Sequence, residues 1–105
     1  MNFGTRKIEV SALPDLDSFE EGKLRAALEK SFDRLKAVVH NEMALHVHFK
    51  RHETEGQKAK HSIHLKLSFP GKTIVASESG WLLPGVAQKA LESLERETLK
   101  ALKKN

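Results

Sequence analysis

The sequence contains no cysteine, no tyrosine and no long apolar run. Without cysteine, disulfides, thiolate nucleophiles and thiolate metal ligands are excluded. No run approaches the ~20 apolar residues that a membrane-spanning helix needs. Met1–Arg6 lacks the apolar segment of a signal peptide. We therefore expect a soluble, cytoplasmic protein.

The chain also lacks the residue patterns that enzymes use most often. It has no glycine-rich loop of the kind that holds phosphates. Ser77 or Ser79 could be combined with a histidine, but no spacing favours a catalytic triad. The acidic residues Asp15, Asp17, Glu20 and Glu21 gather at a predicted helix start, where capping accounts for them. We expect a protein that is not an enzyme and needs no cofactor.

Length and composition indicate one folded unit. The 105 residues are 39% hydrophobic and 30% charged, which is typical of a globular protein. This is enough apolar material for one core, so we expect a single domain over residues 1–105. The net charge of +4 and the isoelectric point of about 9.5 are moderately basic and do not by themselves establish nucleic-acid binding.

Alternation of apolar and polar residues predicts four strands. The apolar positions of the first three strands are Ile8, Val10 and Ala12, then Met43, Leu45, Val47 and Phe49, then Ile63, Leu65, Leu67 and Phe69; the fourth strand is Lys72–Ser79. A polar turn over Glu53–Lys60, which contains Gly56, separates the second strand from the third. Pro70-Gly71 predicts a short hairpin before the fourth.

Apolar residues at helical spacing predict two helices. The first runs from about Ser18 to Ala37, and its apolar residues are Leu24, Leu28, Phe32 and Leu35. Two capping patterns fit its start, Ser18 with Glu21 and Asp17 with Glu20. The second helix follows a break at Gly80–Gly85 and runs from Val86 to the C-terminus. Its apolar face is formed by Ala87, Ala90, Leu91, Leu94, Thr98, Ala101 and Leu102.

The element order is therefore strand, helix, three strands, helix. A sheet with one apolar and one polar face needs cover on the apolar face only. The sequence predicts an α+β, two-layer sandwich, with both helices on one face of a four-stranded sheet. We expect the first strand beside the second or the fourth.

Each predicted helix carries a basic row opposite its apolar row. The first has Lys23, Lys30 and Arg34, and the second has Lys89, Arg96, Lys100 and Lys103. Acidic residues are displaced to the flanks of these rows. If the helices lie side by side at the usual ~8–10 Å, the rows would border one positive track. Such a track favours a polyanion such as RNA, because neutralised phosphates release counterions.

An ordinary solvated helix surface without a ligand explains the basic rows about as well as RNA binding does. Trp81 is the one aromatic residue that we expect to be exposed. Stacking on single-stranded bases needs more aromatics. If RNA binds, the sequence favours recognition of structured RNA through its backbone and shape.

The histidines suggest an alternative. His46 and His48 are two residues apart on one predicted strand, and His64 on the next should share their polar face. Three imidazoles could bind zinc or copper. Half-exposed strand residues without a metal are the more ordinary interpretation, because no acidic residue on these strands is placed to complete a site.

Three short motifs in this element order resemble the short ribosome hibernation-promoting factors, also called ribosome-associated inhibitors or sigma-54-modulation proteins. They are Phe32-Asp33-Arg34-Leu35, Ile74-x-Ala76-Ser77, and a Leu-x-x-Leu frame with Arg96 and Lys100 before a lysine-rich end. The resemblance covers nearly the whole chain.

The resemblance implies a β-α-β-β-β-α fold related to double-stranded-RNA-binding domains. It also implies binding to rRNA in the decoding channel of the small ribosomal subunit, which blocks mRNA and tRNA while idle ribosomes are stored. The positions Arg34, Arg96, Lys100 and Lys104 are basic in that family. Lys23, Lys30, Lys89 and Lys103 are added from helical geometry.

The chain departs from the family in two places. Gly80–Gly85 replaces an Asp-x-Tyr segment, and Ser93 stands at a position where the family has lysine. No extra dimerisation domain follows the second helix, so we expect a monomer that does not dimerise ribosomes by itself.

A general double-stranded-RNA-binding module, a histidine-based metal protein and a protein-interaction domain using Gly80–Gly85 remain as alternatives.

Overall fold

The computed structural model describes residues 1–53 and 59–103, with the backbone only for Glu53. In these residues the chain forms the predicted order of strands and helices. The elements are β1 (Ile8–Ser11), α1 (Ser18–Val39), β2 (Ala44–Glu53), β3 (Ala59–Phe69), β4 (Lys72–Gly80) and α2 (Leu83–Lys103). None of the described helices is both long and apolar enough to cross a membrane.

The strands form one sheet in the order β1-β2-β3-β4. β1 pairs in parallel with β2, with Ile8 opposite Leu45, whereas the other two pairings are antiparallel. A parallel pair needs a crossover connection, and α1 provides it. β1 therefore lies beside the second strand, one of its two predicted positions. Gly71, with φ of 82°, permits the predicted tight turn between β3 and β4.

One apolar core lies between the sheet and the helices. Leu45, Val47, Ile63, Leu65 and Leu67 point inward from the central strands and are buried. The helices bury most of their predicted apolar rows, namely Leu24, Leu28, Phe32 and Leu35 of α1 and Ala87, Ala90, Leu91, Leu94 and Thr98 of α2. Ala101 and Leu102, the last two residues of the predicted α2 row, are only half-buried. The predicted two-layer sandwich is confirmed.

Both helices run in the same direction. α1 returns from β1 to the parallel strand β2, so it runs opposite to both. β4 has the direction of β2, because each is antiparallel to β3. α2 turns back from the end of β4 and packs on β3 and β4. Both helices therefore begin at the same end of the molecule, along the strand direction, and both end at the opposite end.

The start of α1 shows which capping pattern operates. The Glu20 backbone N–H donates to the Asp17 carboxylate at 2.7 Å, and the Asp17 N–H donates to the Glu20 carboxylate at 3.4 Å. This is the capping box of Asp17 with Glu20, and Ser18 is the first helical residue. The helix ends at Val39, two residues later than predicted, where His40 has a left-handed conformation with φ of 54°.

Several predicted strand boundaries are wrong, and β2 begins at Ala44 rather than at Met43. Ala12 was expected in the first strand, but β1 ends at Ser11 and Ala12 is exposed, with φ of 57°. Of the predicted turn Glu53–Lys60, the first residue belongs to β2 and the last two residues belong to β3. Residues 54–58, which include Gly56, lie outside the described part of the chain.

The predicted break at Gly80–Gly85 is shorter than expected. Gly80 is the last residue of β4, and α2 begins at Leu83 rather than Val86. Pro84 does not oppose this earlier start, because residues in the first turn of a helix need no hydrogen-bonding N–H. Leu83 and Val86 are both buried at helical spacing, so the apolar pattern extends to the true start, and the interpretation of Pro84 and Gly85 as a break concealed it.

Candidate nucleic-acid interface

Three predicted basic residues come together along one side of α1. Lys23, Lys30 and Arg34 are exposed and line the groove between α1 and α2. Their spacings of seven and four residues return each side chain to nearly the same side of the helix. The apolar row of α1 is buried on the other side, against the core. The α1 row is therefore an exposed basic edge beside the neighbouring helix.

α2 contributes acidic side chains to the same groove. Glu92 and Glu95 line it opposite the α1 row. One Glu95 oxygen lies 3.5 Å from the Arg34 guanidinium, and the other accepts a 2.9 Å hydrogen bond from the hydroxyl of buried Ser31. These contacts tie the helices together and partly neutralise the row. The groove is thus positive along α1 and negative along α2.

The basic row of α2 lies outside the groove. Its described members, Lys89, Arg96, Lys100 and Lys103, are exposed, and none is among the residues that line the groove. The predicted single track between the rows is therefore wrong, since Glu92 and Glu95 separate them. Lys104, the last predicted RNA-binding residue, lies outside the described part of the chain.

Core packing explains why the two rows do not meet. α2 buries Ala87, Ala90 and Leu94, which fixes the rotation of the helix about its own axis. This rotation turns the flank with Glu92 and Glu95 toward α1 and leaves the basic row on the outer surface. Helical spacing predicts which residues lie opposite the core. It does not predict which flank of a helix will face its neighbour.

Exposed apolar side chains lie near the starts of the two helices. Phe19 is 70% exposed, Trp81 54% and Leu82 76%. The expectation that only Trp81 would be an exposed aromatic is therefore wrong. The Lys23 ammonium lies 4.8 Å from the centroid of the Phe19 ring, within cation–π range. Phe19 also lines the groove, so the basic edge begins next to an exposed aromatic ring.

His46, His48 and His64 share the open face of the sheet, as predicted. His48 lies opposite His64, with ring centroids 6.4 Å apart, and the His46 Nε2 lies 2.8 Å from the Ser11 hydroxyl. Within residues 1–53 and 59–103, no three His, Cys, Asp or Glu side chains are close enough together to hold a metal ion. The geometry gives the metal-binding alternative no support.

An ion-pair cluster near the other side of α1 was not predicted. The Arg6 guanidinium donates to both Asp33 carboxylate oxygens, at 2.8 and 2.9 Å, and lies 3.1 Å from Glu29. Hydrogen bonding to Arg6 lowers the pKa of Asp33, and the same bonding raises the pKa of Arg6. Arg6 is 27 residues from Asp33 in sequence, so no local pattern could have indicated the pair.

Comparisons with known proteins bear on the fold. Neither a protein-family model nor a curated protein sequence matches the chain. Among solved structures, the chain is similar to the N-terminal domain of Protein Y from Thermus thermophilus. The identity is 21%, the match covers 87% of this chain and 90% of that one, and the TM-score is 0.55.

A ribosomal subunit interface protein from Coxiella burnetii is also similar. It is 16% identical, the match covers 93% of this chain and 97% of that one, and the TM-score is 0.60. At these identities the likeness establishes a shared fold. The fold implied by the sequence resemblance to hibernation-promoting factors is therefore confirmed.

Proposed function

We propose that this chain is a ribosome-associated factor of the hibernation type. One protein with the same fold is a ribosomal subunit interface protein. The described helices add seven exposed lysines and arginines sorted into two rows. A row of cations favours an RNA backbone, because each neutralised phosphate releases counterions. The observation that carries the proposal is this sorting of charge on the helices of that fold.

The proposed site is the decoding region of the small subunit, where the factor acts by occupancy. A basic domain lodged on rRNA in the mRNA and tRNA channel excludes both ligands without catalysing a reaction. The sequence motifs around Arg34, Arg96 and Lys100 support this location. The protein would then act in the cytoplasm, as a monomer, and would need no cofactor.

The separation of the two rows shapes the proposed contact. An RNA strand that ran along the groove would pass close to Glu92 and Glu95, which repel phosphates. The α1 row and the α2 row are therefore better placed to take two separate backbone segments, one on each side of the acidic strip. Structured rRNA presents neighbouring backbone segments in this way, whereas one extended strand does not.

Co-sedimentation with ribosomes tests the proposal. The α1 variant carries Lys23→Gln and Lys30→Gln, and the α2 variant carries Lys89→Gln and Arg96→Gln. A matched control carries Arg25→Gln and Arg51→Gln, two exposed arginines outside the rows. We expect the parent and the control to sediment with small subunits, and each row variant to bind at least about tenfold more weakly, with a shallower dependence on salt.

Two results would overturn the proposal. One is a parent protein that stays in the supernatant at moderate salt. The other is a pair of row variants that bind as well as the parent. Adding excess RNA duplex separates the alternative function: a general duplex-binding module would be stripped from ribosomes, whereas a ribosome factor would remain bound.

A further inference from the structure

The open face of the sheet is rich in basic and histidine side chains. The outward-facing charged and titratable residues on the described strands are Glu9 of β1, His46, His48, Lys50 and His52 of β2, and Lys60, His64 and Lys66 of β3. β4 adds only the uncharged Thr73, Val75, Ser77 and Ser79. Four of the six histidines in the chain thus lie on one exposed surface with three lysines and one acid.

A shallow depression marks the middle of this face. Its lining includes His46, His48, His64, Lys66 and the hydroxyl-bearing Ser11 and Ser77. His48 stands directly opposite His64, and His46 directly opposite Lys66. On the described strands the outward-facing acid is Glu9, which pairs with His46 across β1 and β2. Lys7, just before β1, borders an adjoining depression with Glu9, His46 and Lys66.

We propose that this open face is a second RNA-binding surface, which takes the phosphodiester backbone and strengthens as the pH falls from about 7.5 to 5.5. Imidazole gains its positive charge in this range, and the protonated ring donates from both nitrogens. On this face four imidazoles stand among three lysines that already outnumber one glutamate. Donors of this kind form charge-assisted hydrogen bonds to phosphate oxygens.

The opposed pair explains why the ligand should be an anion. When His48 and His64 are both protonated, two like charges face each other across neighbouring strands, and this costs free energy. A phosphate held between the two rings removes that repulsion. RNA binding and proton uptake are then linked, so each strengthens the other.

This surface is on the opposite side of the sheet from the helices, so it does not depend on the basic rows. It shares with the proposed function only the class of ligand. A defect in the helix rows should remove ribosome binding at neutral pH and leave the pH-dependent contact intact. The two ideas can therefore fail separately.

The test measures binding of a fluorescent RNA duplex at pH 7.5 and 5.5. A duplex of about 20 base pairs exceeds the ~16 that a compact duplex-binding domain spans. The face variant carries His46→Asn, His48→Asn, His52→Asn and His64→Asn. The matched control carries His40→Asn and His61→Asn, the two histidines that are not on this face. A milder variant with only His48→Asn and His64→Asn serves if the fourfold change disturbs folding, which circular dichroism reports.

We expect the parent and the control to bind at least about tenfold more tightly at pH 5.5 than at pH 7.5, with a steeper salt dependence at the lower pH. The face variant should change less than twofold, and its affinity at pH 7.5 should match that of the parent. The helix-row variants should keep the full gain. A gain that survives in the face variant, or disappears in the control or in the row variants, overturns the proposal.

Discussion

At the scale of single residues, Arg6 fixes the segment before β1 against α1. Its guanidinium reaches Asp33 and Glu29, which lie one turn apart on the helix. Phe3, whose backbone carbonyl accepts a hydrogen bond from the Arg6 N–H, is buried in the core, so this segment is held by an apolar contact as well as by charge. Asp33 belongs to one of the family-like motifs, and its partner here is a residue of the chain's own N-terminal segment. Its structural role is therefore distinct from RNA contact.

Replacing Asp33 by Asn should lower the melting temperature at pH 7 and have little effect in strong acid. Arg6 holds the pKa of folded Asp33 below its ordinary value of 3.8. The carboxylate therefore stabilises the fold at any pH above about 3.8, and this contribution is lost as the pH falls through the lower, folded pKa. Thermal unfolding from pH 2 to pH 7 measures the effect.

A double-mutant cycle with Arg6→Gln is the control for this pair. If the two residues interact directly, the double variant should be less destabilised than the two single variants combined. Strict additivity, or a deficit in Asp33→Asn that is the same at every pH, would contradict the assigned role.

At the scale of elements, sequence patterns predicted what each helix buries more accurately than where it begins. Most of the buried residues of both helices were predicted from spacing alone, whereas Ser31 of α1 and Leu83 of α2 were missed. Two capping patterns, one residue apart, fitted the start of α1 equally well, and the sequence did not choose between them. Local geometry makes this choice, since the cap residue must be extended while the next residue is helical.

Replacing Asp17 by Ala should destabilise the protein by about 0.5–2 kcal/mol, because a helix N–H loses its acceptor. Ser18→Ala is the matched control, and it should have a much smaller effect because Ser18 lies inside the helix. Urea unfolding of the three proteins gives the comparison. An equal loss in both variants would mean that the capping box has no special role.

Replacing Glu92 by Gln should strengthen RNA binding to the basic rows on the two sides of the acidic strip. Glu92 lies opposite the α1 basic row and is exposed, so its removal reduces repulsion of phosphates at little cost to folding. Affinity for small subunits at low salt should rise severalfold. The control is Glu42→Gln, an exposed acid outside the groove, which should leave affinity unchanged. If Glu92→Gln weakens binding, the groove edge is not part of the RNA surface.

At the scale of the whole molecule, element order and layer arrangement followed from the sequence, whereas the relation between surfaces did not. Period-two and helical patterns record which side of an element is buried, and this determines the sandwich. How α2 is rotated relative to α1 depends on the packing of side chains far apart in sequence. For this reason the predicted basic residues are exposed as expected, but the expected track between them is absent in the described structure.

The shared core should be sensitive to a single deletion of volume. Leu28→Ala removes a fully buried side chain and should cost about 2–5 kcal/mol. This is a large part of the ~5–15 kcal/mol that stabilises a typical domain. Val75→Ala, on the open sheet face where Val75 is 66% exposed, is the matched control and should cost far less. Similar losses for both in chemical denaturation would contradict the assigned core.

Because α1 and α2 run in the same direction, their negative C-terminal ends lie at the same end of the molecule. Cations at that end should attract phosphates less strongly than cations elsewhere on the helices. Each helix end carries about half an elementary charge from its aligned peptide groups, negative at the C-terminus. Lys36 of α1 and Lys100 and Lys103 of α2 lie in the last turns, and Lys72 donates to the carbonyl of Ala101 there. The negative helix ends lower the positive electrostatic potential that these cations present to the solvent. Lys89 and Arg96, away from that edge, present more of their charge to the solvent, so the effective centre of positive potential on α2 lies nearer the middle of the helix than a count of its lysines suggests.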